Sequence, residues 1–333
     1  MSAIGGRTTD LVLEGGGVKG IALVGAATAL DEAGWRFARV AGSSAGALVG
    51  AVVAAMQQAG EPMSRADEIL RTLDYRRMLD RRPTARMMSW WPRAADAWGI
   101  LFHLGMHPGQ YLTDWTRGVL ADLGVHTFAD LAFDDPDGDR ADGRGSRLVV
   151  TTSDLSRQRL LRLPWDLVDH GVDPDRLSVA RAVRASAAIP FMFEPVRLRS
   201  RFGESTLADG SLLETYPIDV FDRADGRPGR WPTIGVRLSG PADERAPAQP
   251  VTGPISMVRS LIHTTVDSTQ VRHVSDPADL DRSIFARTRG VGVTDFDLTP
   301  QQQEDLFEAG HRAASRWIAE HPDGPRPSGL SLD

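Results

Sequence analysis

Residues 10–60 read DLVLEGGGVKGIALVGAATALDEAGWRFARVAGSSAGALVGAVVAAMQQAG, and their order decides the fold. Asp10 to Glu14 is a short leucine and valine run that ends abruptly at three glycines, the pattern of a buried strand. Ile21 to Ala33 carries small and apolar residues at helical spacing, stopped by Gly34. Phe37 to Ala41 reads as a second strand, and Ala45 to Ala59 as a second helix ended by Gly60. Strand, helix, strand, helix in one short stretch predicts an α/β protein layered around a mostly parallel sheet.

Outward from this stretch the signals thin. Arg147 to Leu155 and Gln158 to Leu163 predict a pair of strands, and Val179 to Ala188 a helix closed by Pro190. Glu204 to Ala208 reads as extended, and Ile234 to Leu238 as a further strand. Thr299-Pro300-Gln301-Gln302 has the marks of a helix start: Thr as N-cap, Pro in the first turn, Gln three residues after the cap. That helix is expected to run to about Ala319. Asp135, Asp137 and Asp139 begin like a calcium loop, but Arg140 replaces the turn glycine and Ser146 the bidentate glutamate. A solvated loop over Asp134 to Gly145 is the better reading.

Arg65 to Trp115 differs in character. Eight arginines stand against four acids between Arg65 and Arg93, and Trp90, Trp91, Trp98 and Trp115 lie in or just after that stretch. The plain reading is a helical insertion that packs its aromatics onto the core. The sharper one is a cap whose Trp and Arg side chains meet a lipid interface.

The chain has 333 residues and a formal net charge of −6, so nothing global draws it to nucleic acid. It has no cysteine, which excludes disulfides, thiol catalysis and thiolate-bound zinc. Lys19 is the only lysine. Met1 to Asp10 lacks the apolar core of a signal peptide, and the apolar run Ala45 to Met56 is too short to span a bilayer. A cytoplasmic location with peripheral membrane contact is the expectation.

Two glycine clusters carry the chemistry. Gly15, Gly17 and Gly20 satisfy the dinucleotide pattern G-x-G-x-x-G, yet the second strand ends in Val40-Ala41-Gly42 without the acid that would hold a ribose. Instead it runs into Gly42-Ser43-Ser44-Ala45-Gly46, a G-x-S-x-G between a strand and a helix. Such a turn lifts the serine oxygen above the sheet edge, and the following helix aims its positive end at Ser44. An acyl-transfer serine also needs amides aimed at the oxyanion, and Gly16, Gly17 and Val18 can supply them if the first two strands are neighbours. None of His103, His107, His126, His170, His263, His273, His311 and His321 lies in a turn that presents it as a base. Asp209-Gly210-Ser211, after an extended stretch, is the carboxylate alternative, against its plain reading as an ordinary turn aspartate.

These motifs resemble the patatin-like phospholipases. The resemblance rests on EGGGVKG (14–20), GSSAG (42–46), ASAAIPFMFEP (185–195), the Asp209-Gly210 pair and VGVTDFDLTPQQ (291–302). It implies a three-layer α/β/α fold and a Ser–Asp dyad, with Ser44 as nucleophile and Asp209 as base. The glycine loop, Gly15, Gly16, Gly17, Val18, Lys19 and Gly20, would be the oxyanion hole. Gly42, Ser43, Ala45 and Gly46 would shape the nucleophile elbow, and Gly210 and Ser211 the base loop. Two departures stand out: Ser211 follows the Asp-Gly pair where Gly or Ala is usual, and Thr215-Tyr216-Pro217 stands where Asn often precedes the aromatic and Pro. The Thr is expected to weaken a hydrogen bond that holds the Asp loop.

The expectation is therefore a single domain over residues 8–320, with a helical insertion at 61–130 and loose termini at 1–7 and 321–333. Its function would be lipid acyl-ester hydrolysis through an acyl-enzyme on Ser44, with no metal or other cofactor and with a lipid or ester substrate as partner. The competing reading is a catalytically silent lipid-binding or regulatory protein of the same fold.

Overall fold

The computed structural model describes residues 7–81, 99–100, 102–133, 145–223, 225, 227, 229–238, 260, 264, 276–288 and 290–325. Its strands are β1 (Arg7–Leu13), β2 (Trp35–Ser43), β3 (Gly105–His107), β4 (Leu148–Asp154), β5 (Arg159–Leu163), β6 (Phe191–Phe193), β7 (Val196–Ser200), β8 (Gly203–Asp209), β9 (Thr233–Arg237) and β10 (Ser283–Phe285). Its helices are α1 (Ile21–Glu32), α2 (Ala45–Ala59), α3 (Ser64–Arg71), α4 (Gln110–Asp122), α5 (Val179–Ser186), α6 (Pro277–Asp281) and α7 (Pro300–Glu320).

β10, β9, β1, β2 and β4 form the parallel body of an eight-stranded sheet, which β8 and β7 extend in antiparallel fashion. Alternating residues divide between its two faces, as the pleat requires. Leu11, Leu13, Val40, Leu148 and Val150 face the large core built with α1, α2 and α7. Val12, Ala41 and Val149 face the opposite way, against Trp165, Tyr216, Ile218, Val220 and Phe221.

The pairing around β4 positions the site. β5 occupies one edge of β4 from Val150 to Asp154, so β2 and β8 must share the other. β2 arrives parallel and ends with Ser43 opposite Thr151; β8 arrives antiparallel and ends with Asp209 opposite Thr152. The two strand ends therefore meet on consecutive residues of β4. Residues far apart in sequence, Ser44 and Asp209, are brought together by backbone pairing alone.

Residues 10–60 fold as their pattern predicts, with β2 starting earlier than expected because Gly34, at φ +86, turns the chain directly into it. The Thr299 capping box is present, and its helix runs to Glu320. α5 stops at Ser186, short of Ala188, because the Ala188 carbonyl turns out to accept the Asp209 amide at 2.9 Å. The insertion is not wholly helical, since β3 pairs in parallel with β6. Neither terminus is loose throughout: Arg7 already pairs with Trp35, and the His321 ring stacks on Trp317 at 4.5 Å. Trp115 follows the plain reading, packed against the core with its indole N–H donated to Thr72 at 2.9 Å. Trp90, Trp91, Trp98 and the acidic loop from Asp134 to Arg144 lie outside the described residues.

Candidate active site

Ser44 follows the last residue of β2 and precedes the first of α2, at φ 50 and ψ −116. A serine rarely adopts positive φ, and a residue held there marks a backbone constrained from outside. Two constraints are visible. The Ser44 amide donates to Ser186 Oγ at the end of α5, at 2.8 Å. Behind it, α2 approaches β1 so closely that a Cβ on Gly46 would lie 2.2 Å from the Leu13 carbonyl oxygen. Gly46→Ala is therefore expected to displace the start of α2 and cost about 1–3 kcal/mol of stability, measurable by urea unfolding, with activity falling alongside.

Ser44 Oγ donates a hydrogen bond to Asp209 Oδ2 at 2.7 Å. Asp209 Oδ1 accepts from the Ser211 amide at 2.8 Å, so both carboxylate oxygens are engaged and the side chain is fixed. The hydroxyls of β4 hold the end of β8: Thr152 Oγ1 donates to the Ala208 carbonyl at 2.7 Å and Ser153 Oγ to the Asp209 carbonyl at 2.8 Å. Ser43 Oγ bonds to Thr151 Oγ1 and donates to the Glu214 carbonyl, tying the elbow to the base loop. Thr215 does not leave that loop unheld, since its hydroxyl donates to the Ser211 carbonyl at 3.1 Å.

Asp209 is buried, and burial raises its pKa from 3.8 to about 6; the hydrogen bonds from Ser44 and Ser211 oppose the rise. A carboxylate near pH 6 is a far better proton acceptor for a serine than an ordinary one. Among the described residues no histidine hydrogen-bonds to Ser44 or Asp209.

The glycine loop lies against this pair. Gly17 sits at φ +57, where a Cβ would come within 2.0 Å of the Val293 carbonyl oxygen, so only glycine fits. Gly17, Val18 and Gly20 line the same pocket as Ser44. The amides are not equivalent. Gly15 N–H donates to Thr215, Lys19 N–H to Gly16, and Val18 N–H to Val293 at 3.1 Å. Val18, expected among the oxyanion donors, is thus committed elsewhere, because the segment around Val293 folds over the loop. Among the described residues neither Gly16 N–H nor Gly17 N–H has a hydrogen-bond acceptor. Sequence reasoning also gave no role to Glu14, which is fully buried, accepts the Leu238 amide and lies 3.5 Å from Arg237 Nε beneath the loop.

From Ser44 an apolar pocket runs between α1 and α2. Ile21, Val24, Leu48 and Val49 come from those helices; Leu70, Tyr75, Met78 and Leu112 come from the insertion. Ile189, Phe193 and Phe296 complete its wall. The buried serine and carboxylate thus adjoin an apolar cavity, the usual setting of a small-molecule site.

A strand–turn–helix serine, a buried carboxylate and a glycine loop thus meet on the mixed, mostly parallel sheet of an α/β protein. The chain belongs to the patatin-like phospholipase family, whose model matches residues 11–222, and at that level it is a lipid acyl hydrolase. It is 34% identical over 310 residues to the uncharacterized protein YqhO of Bacillus subtilis, covering 93% of this chain and 97% of that one. Its fold is similar to that of VipD from Legionella pneumophila, with a TM-score of 0.51 at 18% identity over 96% of this chain and 68% of VipD. The type III effector protein ExoU, known from Pseudomonas aeruginosa, gives a TM-score of 0.49 at 18% identity over 96% of this chain and 54% of that one. No helix among the described residues is long and apolar enough to cross a membrane.

Proposed function

We propose that the protein hydrolyses carboxylic esters of lipids through an acyl-enzyme on Ser44, with Asp209 as the only general base. The observation that carries this reading is the 2.7 Å hydrogen bond from Ser44 Oγ to Asp209 Oδ2 at the end of the apolar pocket. Asp209 takes the serine proton as Oγ attacks the ester carbonyl, and the amides of Gly16 and Gly17 receive the oxyanion. The protonated Asp209 then gives its proton to the departing alcohol. Water, deprotonated by the same carboxylate, releases the acyl group. The acyl chain occupies the pocket between α1, α2 and the insertion.

Labelling of Ser44 by a fluorophosphonate probe, combined with turnover of p-nitrophenyl esters of graded chain length, tests the proposal. An unlabelled protein that still binds lipid would be a silent member of the family instead.

A pH dependence follows from the raised pKa of Asp209. The carboxylate must be ionised to accept the serine proton, so kcat/KM is expected to fall as pH drops through about 6 and to be level above it. A carboxylate of ordinary pKa would keep activity two pH units lower. A rate profile flat down to about pH 4 would contradict the assignment.

A further inference from the structure

Two bulky residues outside the dyad hold left-handed backbone: Leu104 at φ 61 and Phe191 at φ 64. Such conformations are uncommon for large side chains, and they persist only where the surroundings impose them. Both residues are also exposed, Leu104 46% and Phe191 40%, as is Phe102, two residues before Leu104, at 56%. They are neighbours, because Gly105, directly after Leu104, pairs with Phe191 across β3 and β6.

The platform beneath them is rigid. Asp80 accepts the amides of Gly109, Gln110 and Tyr111 at 2.7–3.1 Å, and its carbonyl lies 2.8 Å from His107 Nδ1. Arg184 Nη2 donates to the carbonyls of Pro108 and Glu194, both at 2.7 Å, clamping β3 to β6. Ile189 and Phe193, on either side of Phe191, line the pocket that starts at Ser44. Phe191 thus stands in the chain between two residues of the pocket wall, with its own side chain partly in solvent.

We infer that Phe102, Leu104 and Phe191 form a fixed apolar rim that inserts into the surface of a lipid aggregate, so that an acyl chain enters the pocket without crossing water. The inference rests on the acyl-pocket reading above. A lipid surface is the occupant favoured by exposed apolar residues flanked in the chain by the pocket wall, since a hydrocarbon chain drawn from a bilayer is hydrated along its length unless it passes an apolar border. Exposed Arg77, its guanidinium over the Tyr111 ring, lies just before Asp80 on the same platform, where a cation suits phosphate head groups.

Leu104→Gly and Phe191→Gly test it. Glycine accepts positive φ, so relieved backbone strain offsets part of the packing lost with each side chain, and a cooperative thermal transition with an unchanged circular dichroism spectrum shows that the variants are folded. In a Ser44→Ala background each change should weaken co-sedimentation with phosphatidylcholine vesicles about tenfold. With Ser44 intact, hydrolysis of vesicle-embedded ester should fall by a similar factor while turnover of soluble p-nitrophenyl acetate is unchanged. Unaltered vesicle binding, or an equal fall on both substrates, overturns the inference. So does a wild-type dimer in sedimentation that the variants abolish, which would give the rim to a second copy of the chain. If the wild type cleaves no ester but the variants still lose vesicle binding, the rim stands and the hydrolase reading fails.

Discussion

Ser44→Ala is expected to lower ester turnover by roughly 10^4-fold or more, to the level left by binding and the oxyanion amides alone. The change removes the oxygen proposed to attack and one donor to Asp209, and little else. The Ser44 amide still reaches Ser186 Oγ, and the pairing of β2 and β8 on β4 involves backbone only. The fold should therefore survive, with an unchanged circular dichroism spectrum. Alanine at φ 50 inherits the strain of the serine, whereas glycine does not. Ser44→Gly should accordingly be as inactive as Ser44→Ala and more stable, by about 0.5–1 kcal/mol. Lower stability in Ser44→Ala than in Ser44→Gly would mark the left-handed backbone at Ser44 as strained. Near wild-type turnover in a folded Ser44→Ala protein would end the proposal.

How much of this was legible in the sequence follows from what is local. The glycine loop, the elbow and the Asp209 turn are each short segments whose residue types state their backbone geometry, and in the fold Gly15 lies against both Ser43 and Ser211. Ser186 is different. It reads as one small residue in a buried run, and only the packing of α5 against the elbow gives its hydroxyl the Ser44 amide. The direction of the Val18 amide is likewise set by the distant Val293 carbonyl, which no local pattern announces. Leu70, Tyr75, Met78 and Leu112 read as core residues, because pocket wall and core share one composition. β3, β6 and β10 have three residues each, too few for a period. β7 did carry a signal, since Arg197 and Arg199 alternate with the buried Leu198.

Asp209→Asn separates catalysis from stability. Asparagine keeps the shape: its Oδ1 can accept from the Ser211 amide, and its Nδ2 can face Ser44 Oγ as a donor. It cannot take a proton. With no histidine bonded to either member of the pair among the described residues, turnover should fall to within about tenfold of the Ser44→Ala level. Stability should move the other way. Burial raises the Asp209 pKa to about 6 in the folded protein from an ordinary 3.8, so the folded state resists ionisation more than the unfolded one. Below the ordinary value both states are protonated and nothing is lost. As pH rises from there through about 6 the fold loses up to roughly 3 kcal/mol, two pKa units' worth, and the loss is complete at neutral pH. Asparagine carries no such penalty. Asp209→Asn should thus unfold at higher urea than wild type at pH 7, with the difference shrinking as pH falls toward 4. Preserved turnover in Asp209→Asn, lost only when a histidine is replaced, would make the base a histidine. Equal stability at both pH values would mean that the carboxylate is not desolvated, and the pH dependence of activity would then lose its cause as well.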